Sequence, residues 1–323
     1  PGRSRRESPR VRPLTLTLLV LGAPVIVVLA YALVRGGAGM RQYVLARILF
    51  AIPMVLILST IVFFVLRILP GDVTDSDLFL RLTPAARAQV RTDLGLDEPL
   101  ISQYGHFIAS IFRFDFGTAL TGSQRPVVDE LGERFPATVE LIAPTVLLTL
   151  VVGALLGAVA ARHRRRPTDF ALRFGSVVAT SLPIFWLGLL LQLLFGVLWG
   201  ITPVSGRIDA QLDTTLDRTT NVLTIDAIAT GNWAALWSVL HHLVLPVVTL
   251  TVILSGLYLR LTRINLIDVL QQDYIKAARA RGIPERTVVY GVGLRNALIP
   301  VVTLFGLQVA ILLGGAVLTE SVF

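Results

Sequence analysis

Apolar runs of about twenty residues, separated by short charged segments, recur from one end of this chain to the other. As a helix rising ~1.5 Å per residue, such a run crosses the ~30 Å hydrocarbon core of a bilayer. Backbone in lipid must satisfy its own hydrogen bonds, so runs of this kind fold as helices. They fall at residues 48–69, 139–161, within 174–199, at 243–261 and at 298–318, after an earlier one at 14–34. Hydrophobic residues make up 54% of the chain and charged residues 15%, against ~25% charged in a soluble domain. The fold class predicted is therefore an all-α polytopic membrane protein.

The net charge of +8 resolves into topology once it is mapped. Arg162, Arg164, Arg165 and Arg166 follow the run at 139–161, and a second basic group lies within 262–297. Residues 72–137 are richer in acids, and 201–238 carry Asp209, Asp213, Asp217 and Asp226 against Arg207 and Arg218. Alternating spans put Met40, 162–169 and 262–297 on one side and the acidic segments on the other. The positive-inside rule makes the first side cytoplasmic. Charge thus follows the membrane, and no nucleic-acid partner is expected. The run at 14–34 has arginines on both flanks, Arg3 to Arg12 before and Arg35, Arg41 and Arg47 after, which breaks that rule. Residues 1–39 are accordingly expected to be an extension ahead of a mature chain that starts at Met40. Within the outer segment, Thr83 followed by Pro84 reads as the start of a short capped helix.

Between the last two runs lies "QDYIKAARARGIPERTVVYGVGLRNALIP", with the sole lysine of the chain, Lys276, and Arg279, Arg281, Arg286 and Arg295. Asp268 and Asp273 near the start of a short helix and Arg279 and Arg281 near the end of that helix order the charges as its dipole favours. Gly282 supplies a left-handed helix end, and Pro284 suits the first turn of a following helix. Ala277 and Ala278 leave a nearly bare face on which another backbone could rest. A small-faced helix at a membrane surface suits docking; a solvated connector that binds nothing has the same charge pattern.

The order Ala277, Ala278, three residues, Gly282 resembles the cytoplasmic loop of the permease subunits of binding-protein-dependent ABC importers. There an "EAA" and a glycine are followed by an apolar residue and "LP". Lys276 stands here in place of the glutamate, Val292 and Leu294 match the later positions, and Arg295 replaces the proline. "DYIKAARARGI…LRNALIPV" is similar to the dipeptide, oligopeptide and nickel subfamily. So are "LARILFAIPMVLILSTIVFFVLRILPGD", "SLPIFWLGLLLQLLFGV" and "LFGLQVAILLGGAVLTESVF", in the expected order from Met40 onward. The resemblance implies the type I importer transmembrane fold, with five family spans here and a sixth beyond Phe323. It implies a first span and periplasmic region at 40–137 and a core at 138–323 containing the coupling loop 262–297. It also implies a coupling helix, with Asp273, Tyr274, Lys276, Ala277, Ala278, Arg279 and Gly282 as docking residues. The implied partners are a homologous second permease subunit, two cytoplasmic ATP-binding subunits, and a periplasmic or lipid-anchored solute-binding protein. The cargo implied is a dipeptide, oligopeptide or related solute such as nickel.

Other chemistries find little support. A P-loop needs lysine after glycine, and Lys276 lies in "YIKAA", so ATP hydrolysis is expected on a partner. No cysteine offers a thiolate or a disulfide. His241 and His242 are adjacent and diverge on a helix, a poor metal pair that reads as a solvated helix start; neither cofactor nor metal is expected. Glu140 and Glu320 lie near span ends and read as interfacial rather than as a proton relay. Gly153/Gly157 and Gly196/Gly200 read as close-packing pairs, Pro183 and Pro246 as sites where spans bend, and Arg67 as a snorkelling side chain. A self-contained carrier or channel is the alternative, and a non-transporting scaffold stands behind it.

Overall fold

The computed structural model describes residues 27, 29–68, 83, 92, 95–118, 125–315 and 322–323. The capped helix expected after Thr83, most of the run at 14–34, and Glu320 lie outside these residues. Ordered structure among the described residues is helical, apart from an isolated antiparallel bridge between Thr118 and Pro126. The chain divides into two units, Pro1–Arg134 and Phe135–Phe323.

In the first unit, α1 (Ala38–Ile68) takes in the predicted run as far as Ile68, the last described residue there, and begins well before it. Its basic lead is rich in Ala, Leu, Arg and Gln, all good helix formers, so helix extends past the apolar window. α2 (Leu100–Phe112), an amphipathic helix within the acidic segment, packs on α1. Phe63 stacks on Phe107 with ring centroids 5.1 Å apart, and the Thr60 and Tyr104 hydroxyls share a hydrogen bond of 2.8 Å. Arg67 does not snorkel freely. Its guanidinium donates to Gln103 Oε1 and lies 5.5 Å from the centre of the Phe63 ring.

α3 (Val127–Arg162) begins in the first unit and continues into the second, longer than the run predicted at 139–161. The third predicted span is a bent pair: α4 (Pro167–Ser181) meets α5 (Ile184–Leu191), which continues as a wide turn to Leu198, at 100°. Proline explains both ends of α4. Pro167 occupies its first turn, and Pro183 forces Leu182 into an extended conformation (φ −80°, ψ 135°), which stops the helix. A short helix, α6 (Leu223–Ala229), lies in the following segment. α7 (Trp233–Val269) opens with Asn232, whose side chain accepts the Ala235 N–H at 3.0 Å. It starts ten residues before the predicted span and runs through Pro246 unbroken. Leu245 and Val247 on either side are buried, so packing holds the turn that the proline weakens. α8 (Asp273–Ala280) and α9 (Leu294–Gly315) complete the unit. α1, α3, α7 and the stretch ending in α9 are each long and apolar enough to cross a membrane, and the bent pair brings the number to five among the described residues.

α7 is the hub of the second unit and packs against α4, α5, α6 and α9. Two seams depend on glycine. A Cβ on Gly153 would lie 2.4 Å from Tyr258 Cβ, and one on Gly157 would lie 2.7 Å from the Leu259 carbonyl oxygen. A Cβ on Gly256 would lie 2.8 Å from the Ser176 carbonyl oxygen. Gly153 and Gly157 therefore pack as predicted. Gly196 and Gly200 do not form such a seam. Gly196 abuts the Val204 side chain, and Gly200 takes a left-handed φ of +61° in open space as the helix ends.

Candidate docking site

The chain leaves α7 through a turn at 270–272 and enters α8, whose first N–H groups at Ile275 and Lys276 donate to the Gln272 carbonyl. Asp268 belongs to the last turn of α7, so the start of α8 carries only Asp273 as its acid. α8 ends as Gly282 predicted. Gly282 has φ +73°, its N–H donates to Arg279 O at 2.9 Å, and the Ile283 N–H donates to Ala278 O at 3.3 Å. These two bonds are a Schellman motif, and Ile283 packs on the Ala278 cluster as that motif favours. Pro284 sits one position earlier than expected, as the residue preceding the turn Glu285–Thr287.

Ile275 and Ala278 face inward and pack with Val288, against Val269, Leu270, Ile283 and Val292. The bare face predicted from Ala277 and Ala278 thus divides: Ala277 is exposed, whereas Ala278 is buried. Three residues apart on a helix, Ile275 and Ala278 share a face, and the larger Ile275 fixes which way that face turns. The outward face consists of Asp273, Lys276, Ala277 and Ala280, with Lys276 Nζ 2.8 Å from Asp273 Oδ1. Tyr274 stands to one side, its hydroxyl accepting from Asn296 Nδ2 at 3.2 Å.

Arg279 closes the loop. Its Nε and Nη2 donate to the two carboxylate oxygens of Glu285 at 3.0 and 2.8 Å. The Arg279 hydrogen bonds hold the Glu285 carboxyl below its ordinary range. Glu285 had no reading as a site residue; an arginine and a glutamate flanking a helix-ending glycine were the available signal.

Two further charged groups depart from expectation. Glu140, read as interfacial, is buried. It accepts from Arg207 Nη2 and from the Thr224 N–H, both at 2.6 Å, and so ties the segment before α7 to α3. Thr224 lies in the first turn of α6, where a carboxylate is favoured. Asp169, with 1% of its surface exposed, accepts from Arg263 Nε at 2.6 Å, Arg263 Nη2 at 2.7 Å and the Arg165 N–H at 3.1 Å. That pair joins the start of α4 to α7 near its α8 end. His241 and His242 are not simply solvated: their rings bond the Ile201 and Ser238 carbonyls, respectively.

A motion applied to α8 therefore meets little slack. α8 shares a core with the end of α7 and with the 288–293 stretch that leads into α9, its own C-terminus is clasped, and α7 is ion-paired to α4. Such an arrangement passes a push at one surface into several long apolar helices.

Residues 153–323 match the family described as binding-protein-dependent transport system inner membrane component, and residues 40–142 match its N-terminal family. The chain is 37% identical over 285 residues to a di/tripeptide transport system permease protein of Pseudomonas aeruginosa, covering 88% of this chain and 84% of that protein. It is 36% identical over 287 residues to the dipeptide transport system permease protein of Escherichia coli K12, with 88% and 84% covered. A glutathione transport system permease protein of Salmonella choleraesuis is 37% identical over 288 residues, with 88% and 83% covered. With most of its length matched by these relatives, and its apolar helices in place, this chain belongs to the family of multi-pass inner-membrane permease components of binding-protein-dependent ABC importers.

Proposed function

We propose that this chain forms part of the translocation path for short peptides, and that α8 is the coupling helix on which a separate ATP-hydrolysing subunit docks. The observation that carries the docking reading is the outward face of α8, where Ala277 and Ala280 stand bare between Asp273 and Lys276 on a clasped foundation. The positive-inside rule puts this face in the cytoplasm, where an ATPase works. A homologous second permease completes the path, and a binding protein delivers cargo on the opposite side. Closure of the ATPase pair pulls α8 and, through the shared core, α7 and α9. The partner drives the change only by gripping α8 more tightly in one state than in the other. Peptide cargo is favoured by the names of the relatives, which are di/tripeptide, dipeptide and glutathione permeases.

The chain has no cysteine of its own, which makes it suited to site-directed crosslinking. Ala277→Cys is expected to crosslink to the ATPase subunit in native membranes, and Ala278→Cys, facing inward, to do so far less. Equal absence of crosslinks at Ala277 and Ala280 would end the docking assignment. Uptake of labelled dipeptide, tripeptide, glutathione and nickel with the cognate binding protein tests the cargo. Nickel uptake without peptide uptake would refute the peptide reading.

A further inference from the structure

A cavity of about 400 Å³ opens beside α8, at the arginine-rich end of the long helices. It is lined by Arg162 and His163 from the end of α3, Arg166 from the turn before α4, and Arg279 with Glu285 from the clasp, over Leu270. Its size falls within the ~300–1,000 Å³ usual for ligand pockets. Glu285 offsets Arg279 through two hydrogen bonds. Arg162 and Arg166 have no carboxylate within 4 Å among the described residues, and Arg162 instead lies 6.0 Å from the centre of the Tyr290 ring. His163 Nδ1 bonds the Val159 carbonyl at 3.0 Å, which leaves Nε2 as its unengaged nitrogen. Arg162, Arg166 and Arg279 face one concavity with Glu285 as its one lining carboxylate among the described residues. That carboxylate attracts Arg162 as well as Arg279, so the lining keeps a net positive charge and its guanidiniums repel one another. An anion filling the concavity removes that repulsion. Planar guanidinium forks bind phosphate oxygens in pairs, and basic pockets between the ends of membrane helices suit phosphate headgroups.

We propose that this cavity binds a phosphate group, held by Arg162 and Arg166, beside the Arg279–Glu285 clasp. The group comes either from an anionic lipid or from a soluble phosphate. Bound there, it also faces Arg279 and so competes with Glu285, which makes the foundation of α8 sensitive to what fills the cavity. This goes beyond the docking role and does not depend on the cargo.

The complete transporter, with its partner subunits, is delipidated in detergent and compared with an Arg162→Gln/Arg166→Gln variant and with the milder Arg166→Gln. Native mass spectrometry follows add-back of phosphatidylglycerol, cardiolipin or phosphatidylcholine, and equilibrium dialysis follows radiolabelled inorganic phosphate. Wild type is expected to retain an additional phosphate-bearing ligand. Binding should weaken at least tenfold in the double variant and measurably in Arg166→Gln, while Arg164→Gln, outside the cavity, binds as wild type does. Loss confined to the anionic lipids identifies a headgroup as the source, and loss of inorganic phosphate identifies a soluble anion. Equal binding by wild type and both cavity variants overturns the proposal, as does absence of any such ligand from wild type. The readout is binding, so a failure of α8 to crosslink to an ATPase leaves this result standing, and the reverse also holds.

Discussion

Asp169→Ala removes the carboxylate at the centre of the tie between α4 and α7. The lost contacts are two hydrogen bonds from Arg263 at 2.6 and 2.7 Å, one from the Arg165 N–H at 3.1 Å, and a looser approach by Arg173 Nε at 3.4 Å. Hydrogen bonds to charged groups contribute ~1.5–3 kcal/mol each, and adding three would give ~4.5–9 kcal/mol. That sum overstates the effect, because the contacts share one carboxylate and its removal lifts that group's own desolvation cost. The governing loss is what remains: the Arg263 side chain, with 17% of its surface exposed, becomes a charge without its partner. Breaking a buried pair from one side costs about 3–5 kcal/mol, and that is the expected destabilisation. Unfolding of the purified chain in mixed detergent, followed by tryptophan fluorescence, measures it. Asp169→Ala/Arg263→Met removes the stranded charge as well, so it is expected to recover a large part of the loss. A single variant within ~0.5 kcal/mol of wild type would refute the reasoning, and so would a double variant whose losses simply add.

The glycine seam makes a second prediction. Gly153→Leu drives a side chain into Tyr258, and overpacking of this kind costs about 1–3 kcal/mol in the same unfolding assay, whereas Gly175→Ala, with open space at its Cβ, changes little. At Gly282 the space is open but φ is +73°, so Gly282→Ala costs about 1–2 kcal/mol through backbone strain alone. Its expected sign is faster proteolysis within 279–287 with membrane insertion unchanged. The clasp also makes acidification informative. Arg279 lowers the Glu285 carboxyl, so the clasp's contribution is complete above the ordinary glutamate value of ~4.3 and is lost as pH falls through the lowered one. Pepsin cleavage of this loop is expected to rise over that acidic window in wild type and to be high and flat in Glu285→Gln; matching profiles would count against the clasp.

The long helices were legible because a membrane span requires only a window of apolar residues, which 139–161 and 298–318 supply without reference to anything distant. Gly282 was legible for a similar reason: the left-handed turn it makes is a local need. The failures share a different cause. Asp169 and Arg263 are 94 residues apart, and Glu140 and Arg207 are 67 apart. A lone acid beside an apolar run reads as interfacial until the fold brings its partner. Pro183 marked where α4 had to stop, but the 100° turn depends on how α4 and α5 each pack on α7. The inward turn of Ala278 was hidden because the pair Ala277–Ala278 looks symmetric in sequence, and only Ile275 and the Val288 cluster decide which of the two is buried.

The docking reading carries a constraint on what can move. Shifting α8 alone would open the cluster of Ile275, Ala278 and Val288 and strip Arg279 from Glu285. Shifting α8 together with the end of α7 and the start of α9 keeps those contacts, because Leu266, Val289, Leu294 and Ala297 form one further buried cluster with Ala158 and Ala161 of α3. The second motion leaves the apolar contacts in place and is the less costly one. α7 also meets α3 and α4 at Gly153, Gly157 and Gly256, where the neighbouring atoms are backbone or β-carbons close to it and leave little room to yield. A closely packed interior shifts between discrete arrangements rather than deforming gradually. A pull on α8 is therefore expressed as a block movement of the helix ends around it, and hydrogen exchange under ATP turnover should change at the rims of that block while the hydrogen-bonded 275–283 amides stay protected throughout.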